Sequence, residues 1–186
     1  MRMWKRLALG CGSAALGAAV LAATPGASAA GAAAPHAAVP GQGAQVSLRL
    51  AANPRQVANV SGASHENSAH VIEWSWTGQA NERWTVRDAG NGYYRFRSVN
   101  SGKCLNVSGG GDQNGAQVIQ YTCGDSANEQ WRLVPRRDGY QLVVRSSGKC
   151  LNVQGGVGSG RDLIQYTCGN GTANEVWLPV WEQHRR

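Results

Sequence analysis

The chain has 186 residues, with 18 basic against 11 acidic side chains and a formal net charge of +7. That length suffices for one domain with its own core. The positive excess is mild and lacks a basic cluster with interleaved aromatics, which excludes a nucleic-acid partner from the expected functions.

In chain order, Met1-Arg2-Met3-Trp4-Lys5-Arg6 is a basic start, and Leu7 to Ala23 is an uncharged stretch of Ala, Leu and Gly. Pro25-Gly26 then breaks it before Ala27-Ser28-Ala29. This order predicts a secretory signal peptide, residues 1–29, cut after Ala29, and hence a secreted, extracellular protein. A transmembrane anchor fits less well, because the stretch is short and Gly-rich and ends in an A-x-A signal. A lipidated Cys11 is opposed by the apolar run that continues past it. No membrane insertion is expected after cleavage. Removal of 1–29 takes Arg2, Lys5 and Arg6 and no acid, leaving fifteen basic against eleven acidic residues and a net charge of +4. Residues 30–43 are Ala, Pro and Gly without periodicity and predict a flexible linker. The folded domain is expected over 44–186, with Glu182 to Arg186 as a frayed tail.

That domain is repetitive. Residues 101–107 and 147–153 both read SGKCLNV, 119–124 and 164–169 both read IQYTCG, and ANEQW at 127–131 returns as ANEVW at 173–177. A more diverged copy lies upstream. There Val57-Ala58-Asn59-Val60 stands for CLNV, Ile72-Glu73-Trp74-Ser75-Trp76 for IQYTC, and Ala80-Asn81-Glu82-Arg83-Trp84 for ANExW. Three repeats follow, at about 44–86, 92–134 and 139–180.

Each repeat predicts strands. Tyr93-Tyr94-Arg95-Phe96-Arg97, Gln117-Val118-Ile119-Gln120-Tyr121 and Tyr140-Gln141-Leu142-Val143-Val144 are short β-branched and aromatic runs. Asn91-Gly92, Ser101-Gly102, Asp138-Gly139 and the Gly-rich loops 108–115 and 155–160 punctuate them. No stretch sustains a 3.6-residue apolar period. The expected class is all-β, with about twelve short strands. A sandwich or a barrel would satisfy that count, and the threefold repeat favours a closed arrangement of three lobes sharing one core. Trp84, Trp131 and Trp177 are expected at its centre.

Four cysteines remain after cleavage, and an even number in an exported chain implies disulfides. Repeat equivalence pairs Cys104 with Cys123 and Cys150 with Cys168. The first repeat has Val57 and Trp76 at those places, and the joint loss supports the pairing.

The three Trp-bearing blocks resemble the Q-x-W signature of the ricin B-type lectin family. Here they are written Glu82-Arg83-Trp84, Glu129-Gln130-Trp131 and Glu175-Val176-Trp177, with Glu for Gln throughout. The resemblance covers about 44–180 and implies a β-trefoil with a shallow galactose- or xylose-type sugar site in each lobe. It also implies the site residues: a polar grip after the first cysteine position, an aromatic two before the second, and the Asn that opens the Trp block. These fall on Asn59, Trp74 and Asn81 in the first lobe, Asn106, Tyr121 and Asn128 in the second, and Asn152, Tyr166 and Asn174 in the third. The family's grip is Asp; here it is Asn in every lobe. Asn donates as well as accepts, and it carries no charge.

The pattern suits sugar chemistry. An aromatic ring covers the apolar C–H face, and amides replace the water lost by the hydroxyls. Alternation along the strand puts Ile119 with Tyr121 on one face and Val118 with Gln120 on the other. Gln120, Gln165 and Glu73 then lean inward and require polar partners. Glu82, Glu129 and Glu175 are expected to bond loop backbone.

No nucleophile–base set stands out, and no Cys or His spacing suggests a zinc site. The Gly-rich runs lack the Lys-Ser/Thr of a phosphate loop. The acidic residues are few, and nothing specifies an acid and a base for glycoside hydrolysis. The expectation is a non-catalytic monomer without cofactor or metal, binding a polysaccharide or glycan. The alternative is a protein-binding trefoil, such as an exported protease inhibitor, acting through loops 61–70, 108–115 and 154–161.

Overall fold

The computed structural model describes residues 41 and 43–182. The signal peptide 1–29, all of the linker except Gly41 and Gly43, and the tail from Gln183 to Arg186 lie outside the described residues.

Twelve strands make up the domain. The first repeat contributes β1 (Gln45–Leu50), β2 (Asn53–Val60), β3 (Val71–Ser75) and β4 (Trp84–Gly90). The second contributes β5 (Tyr93–Ser98), β6 (Cys104–Val107), β7 (Val118–Tyr121) and β8 (Trp131–Arg136). The third contributes β9 (Gly139–Val144), β10 (Cys150–Val153), β11 (Leu163–Tyr166) and β12 (Trp177–Trp181). The described residues hold no α-helix, only short 3₁₀ turns such as Ala80–Glu82 and Ala127–Glu129.

Antiparallel pairing runs β1–β4–β5–β8–β9–β12 and back to β1, which closes a six-stranded barrel. The hairpins β2–β3, β6–β7 and β10–β11 cover one end. Isolated bridges join the hairpins in a cycle: His70 to Ile119, Gln117 to Ile164, and Asp162 to Ile72. This is a β-trefoil. The closed barrel leaves its six strands no free edge.

Alternation fills the interior. In β1, Val46, Leu48 and Leu50 are fully buried, as are Trp84 and Val86 in β4. Trp84, Trp131 and Trp177 are fully buried in the core. Each ring satisfies its one donor in the same way: Nε1 donates to the carbonyls of Ala58 (3.1 Å), Leu105 (2.9 Å) and Leu151 (3.0 Å). Burial without that bond would carry a desolvation cost. The disulfides Cys104–Cys123 and Cys150–Cys168 close the second and third lobes.

The structure differs from the sequence expectation at Glu182, which does not fray with the tail. Its amide donates to the Gln45 carbonyl at 2.9 Å, and its carboxylate accepts from Ser47 Oγ at 2.6 Å and Arg49 at 3.1 Å. A buried Ser47 and a half-buried Arg49 on β1 supply the donors that tether it.

Candidate functional site

Each hairpin carries an open hollow on its outer side. The first lobe's, about 410 Å³, is lined by Asn59, Ile72, Trp74 and Asn81. The second's, about 430 Å³, is lined by Asn106, Ile119, Tyr121 and Asn128. The third's, about 570 Å³, is lined by Asn152, Ile164, Tyr166 and Asn174. All nine expected site residues therefore come together three by three. These volumes suit a small ligand.

Strand alternation explains the arrangement. Ile119 and Tyr121 share a face of β7, so both reach the hollow, with Ile119 as its apolar floor. Ile72 with Trp74 and Ile164 with Tyr166 repeat this. The sequence carries that signal as an Ile two residues before every aromatic. Trp74, Tyr121 and Tyr166 are 44%, 44% and 47% exposed, high for rings of their size in a well-packed domain.

The Asn residues work as pairs. Nδ2 of Asn81, Asn128 and Asn174 donates to Oδ1 of Asn59, Asn106 and Asn152 at 3.2, 3.0 and 2.7 Å. The same nitrogens also donate to the carbonyls of Val60, Val107 and Val153. The Trp-block Asn thus spends both donors on fixing its partner. The remaining valence differs by lobe. Asn59 Nδ2 donates to Glu82 at 3.1 Å. Among the described residues, Nδ2 of Asn106 and of Asn152 has no hydrogen-bond partner.

The Trp-block carboxylates order the loop below each hollow. Glu82 accepts from the backbone N–H of Thr77, Gly78 and Gln79 and from Thr77 Oγ1. Glu129 accepts from Gly124 N–H and faces Arg95 at 3.2 Å. Glu175 accepts from Gly169, Gly171 and Thr172 N–H and from Gln141 Nε2. Burial works against its charge, but those donors together hold its pKa below the ordinary carboxylate value.

The inward-leaning residues bond to the preceding lobe. Gln120 Nε2 donates to the carbonyls of Ser64 and Glu66, and Gln165 Nε2 to those of Gly111 and Gln113. Ser101 Oγ and Ser147 Oγ satisfy their oxygens. In the first lobe Glu73 takes this place, fully buried, and accepts from Gly158 N–H at 2.7 Å. Its Oε1 has no partner, because Pro54 stands where the other lobes have Ser101 and Ser147. Burial raises its pKa against the opposing pull of the Gly158 N–H and the Arg161 charge.

A six-stranded barrel closed by three hairpins, each with an open aromatic over an Asn pair, defines a β-trefoil of lectin-like build. The ricin-type beta-trefoil lectin domain-like family matches residues 36–121, 81–166 and 127–183, and the chain belongs to that family. Comparison with curated protein sequences returns no match. Among solved structures, the designed 3-fold symmetric protein ThreeFoil is 38% identical, with a TM-score of 0.70 over 73% of this chain and 97% of that one. An exo-beta-1,3-galactanase from Clostridium thermocellum, 1,3Gal43A, is 27% identical with a TM-score of 0.70; the match covers 75% of this chain and only 30% of the enzyme. The C-half of an earthworm R-type lectin, solved with GalNAc, shares the fold at 13% identity and a TM-score of 0.60, over 75% of this chain and 99% of that one.

Proposed function

We propose that the chain is a secreted, non-catalytic carbohydrate-binding protein that recognises galactose- or xylose-type sugars, or polysaccharides containing them, through up to three shallow sites. The observation that carries this reading is the threefold recurrence of an exposed ring beside a hydrogen-bonded Asn pair. A ring left nearly half exposed beside a polar pair forfeits burial that the core offers, and a sugar's C–H face returns it.

Asn in place of Asp changes what the sites offer. In the second and third lobes the group left over is a donor, so a sugar hydroxyl accepts from Asn106 or Asn152 instead of donating to a carboxylate. A neutral bond of this kind is weaker than a charge-assisted one. Weak sites on one rigid body gain by avidity, which favours a polymer over a free monosaccharide. The two disulfides suit an oxidising compartment.

The test is a glycan array with retention on insoluble xylan, galactan and arabinogalactan, using the mature chain from residue 30. Retention that free sugar competes away is the expected result. A folded, oxidised sample that binds no glycan would reject the reading and bring forward a protein partner at loops 61–70, 108–115 and 154–161.

A further inference from the structure

The second lobe's hollow is not built by the second lobe alone. Ser68, from the loop of the first lobe, lines it together with Tyr121 and Asn106. Its backbone φ is +65°, in the left-handed region that L side chains rarely adopt. The equivalent positions in the other two junctions are glycines: Gly115, at φ +85° beside the third lobe's hollow, and Gly160, at φ +84° beside the first lobe's. The equivalence rests on one shared hydrogen bond. The N–H of Ser68, Gly115 and Gly160 donates to the carbonyl of Gln120, Gln165 and Glu73 at 2.9, 2.9 and 2.7 Å.

At the first lobe's junction a side chain at this position would reach the platform. A Cβ built on Gly160 would stand 3.4 Å from Cζ3 of Trp74, and one on Gly115 meets nothing within 4 Å. There is room, then, and glycine is the residue the backbone favours. Ser68 is the exception, and it gains nothing from the protein in return: no hydrogen bond of its hydroxyl is present among the described residues. A side chain held in a disfavoured conformation at a candidate site points to a role there.

Ser68 is also held still. Asn67 Oδ1 accepts from the N–H and Oγ1 of Thr122, Gln120 N–H donates to Ala69 O, and Gln120 Nε2 holds the carbonyls of Ser64 and Glu66. A hydroxyl on so fixed a loop meets a ligand with little further loss of freedom.

We infer that Ser68 is a specificity-determining residue of the second lobe's sugar site, supplying across the lobe boundary a hydroxyl that bonds the ligand's rim and that the other two sites lack. This rests on the carbohydrate reading above.

The test uses the mature chain carrying Trp74→Ala and Tyr166→Ala, so that only the second site remains. Methyl β-galactoside, methyl β-xyloside and their monodeoxy analogues are titrated by NMR, with and without Ser68→Gly. With Ser68 present, one deoxy analogue is expected to bind about fivefold more weakly than its parent, the loss of one neutral hydrogen bond. Ser68→Gly should weaken the parent sugar by the same factor, abolish that discrimination, and raise Tm by a few degrees as glycine relieves the backbone. Gly115→Ser, in a chain whose third site alone is intact, should install the discrimination there. A Ser68→Gly chain with unchanged affinity and discrimination would overturn the inference and leave the lectin reading standing. A lower Tm would overturn it too, since the serine would then be holding the loop. A folded parent chain that binds none of these glycosides would reject the lectin reading itself, and the inference with it.

Discussion

Where the second and third lobes carry a disulfide at the root of the hairpin, the first carries a fully buried Val57 and a Trp76 whose ring lies 4.4 Å beneath the Arg49 guanidinium. Where the later lobes use a glutamine with both ends satisfied to grip the loop before them, the first uses Glu73 with one oxygen unmet. Where Asn106 and Asn152 keep a free donor, Asn59 gives its own to Glu82. The backbone path is common to all three. In this fold an aromatic–cation contact stands in place of a covalent tie, and a carboxylate in place of an amide, while the Trp and the Asn pair are common to all three lobes.

The largest effect should come from removing the ties that the first lobe lacks. Cys150→Ser with Cys168→Ser should cost about 3 kcal/mol in urea titration, from the entropy of a loop of about 20 residues. Hydrogen exchange should then quicken in β10–β11 and leave β2–β3 unchanged; equal quickening in both would break the view that the lobes are separately secured. Next in size, Glu175→Gln should cost about 2 kcal/mol at pH 7, because an amide cannot satisfy the three N–H donors as a carboxylate does. Since the folded pKa of Glu175 is lowered, its contribution is present above the ordinary value of 4.5 and is lost as pH falls through the folded pKa; the penalty should shrink on acidification.

Tyr121→Ala and Tyr166→Ala should each weaken binding at their own site about tenfold, near 1.4 kcal/mol, with Tm unchanged within a degree or so. Undiminished polysaccharide retention by the double variant would end the stacking role. The smallest expected effect has the opposite sign. Glu73→Gln restores the residue of the other lobes and should stabilise by about 1 kcal/mol at pH 7. The folded pKa of Glu73 is raised, so ionisation of the unfolded chain above about 4.5 works against folding; the gain from Gln should fade as pH falls towards that value. A loss of stability at neutral pH would mean that the Arg161 charge outweighs burial at this position.

Much of this was readable from the residues. Three copies of a Trp block in register, with paired cysteines in two of them, favour a closed threefold β-fold over a sandwich, because equivalent tryptophans can then share one core. The grouping of each candidate trio around one hollow was readable through the resemblance to the lectin family, and the Ile before each aromatic marks the same face. The junctions were not readable. Gln120 meets its carbonyl partners across 56 and 54 residues. Those partners are backbone atoms of loops whose side chains differ from lobe to lobe, so repetition leaves no trace of the bond. Ser68 was missed for the same reason: a left-handed serine looks like any polar loop residue until its φ is known. The tether of Glu182 depends on Ser47 and Arg49, 135 and 133 residues away.

The cycle of bonds from each hairpin to the loop before it means that one sequence repeat does not carry a whole candidate site. Copying residues 92–134 into another trefoil would carry Tyr121, Asn106 and Asn128 but leave behind the loop that closes their hollow. The portable module is about one and a half repeats long, from the loop at 61–70 through the Trp block at 127–131. Grafts or gene duplications of that length would move the second lobe's candidate site whole, whereas those cut at the repeat boundary would make a hybrid with the recipient's own loop for a wall.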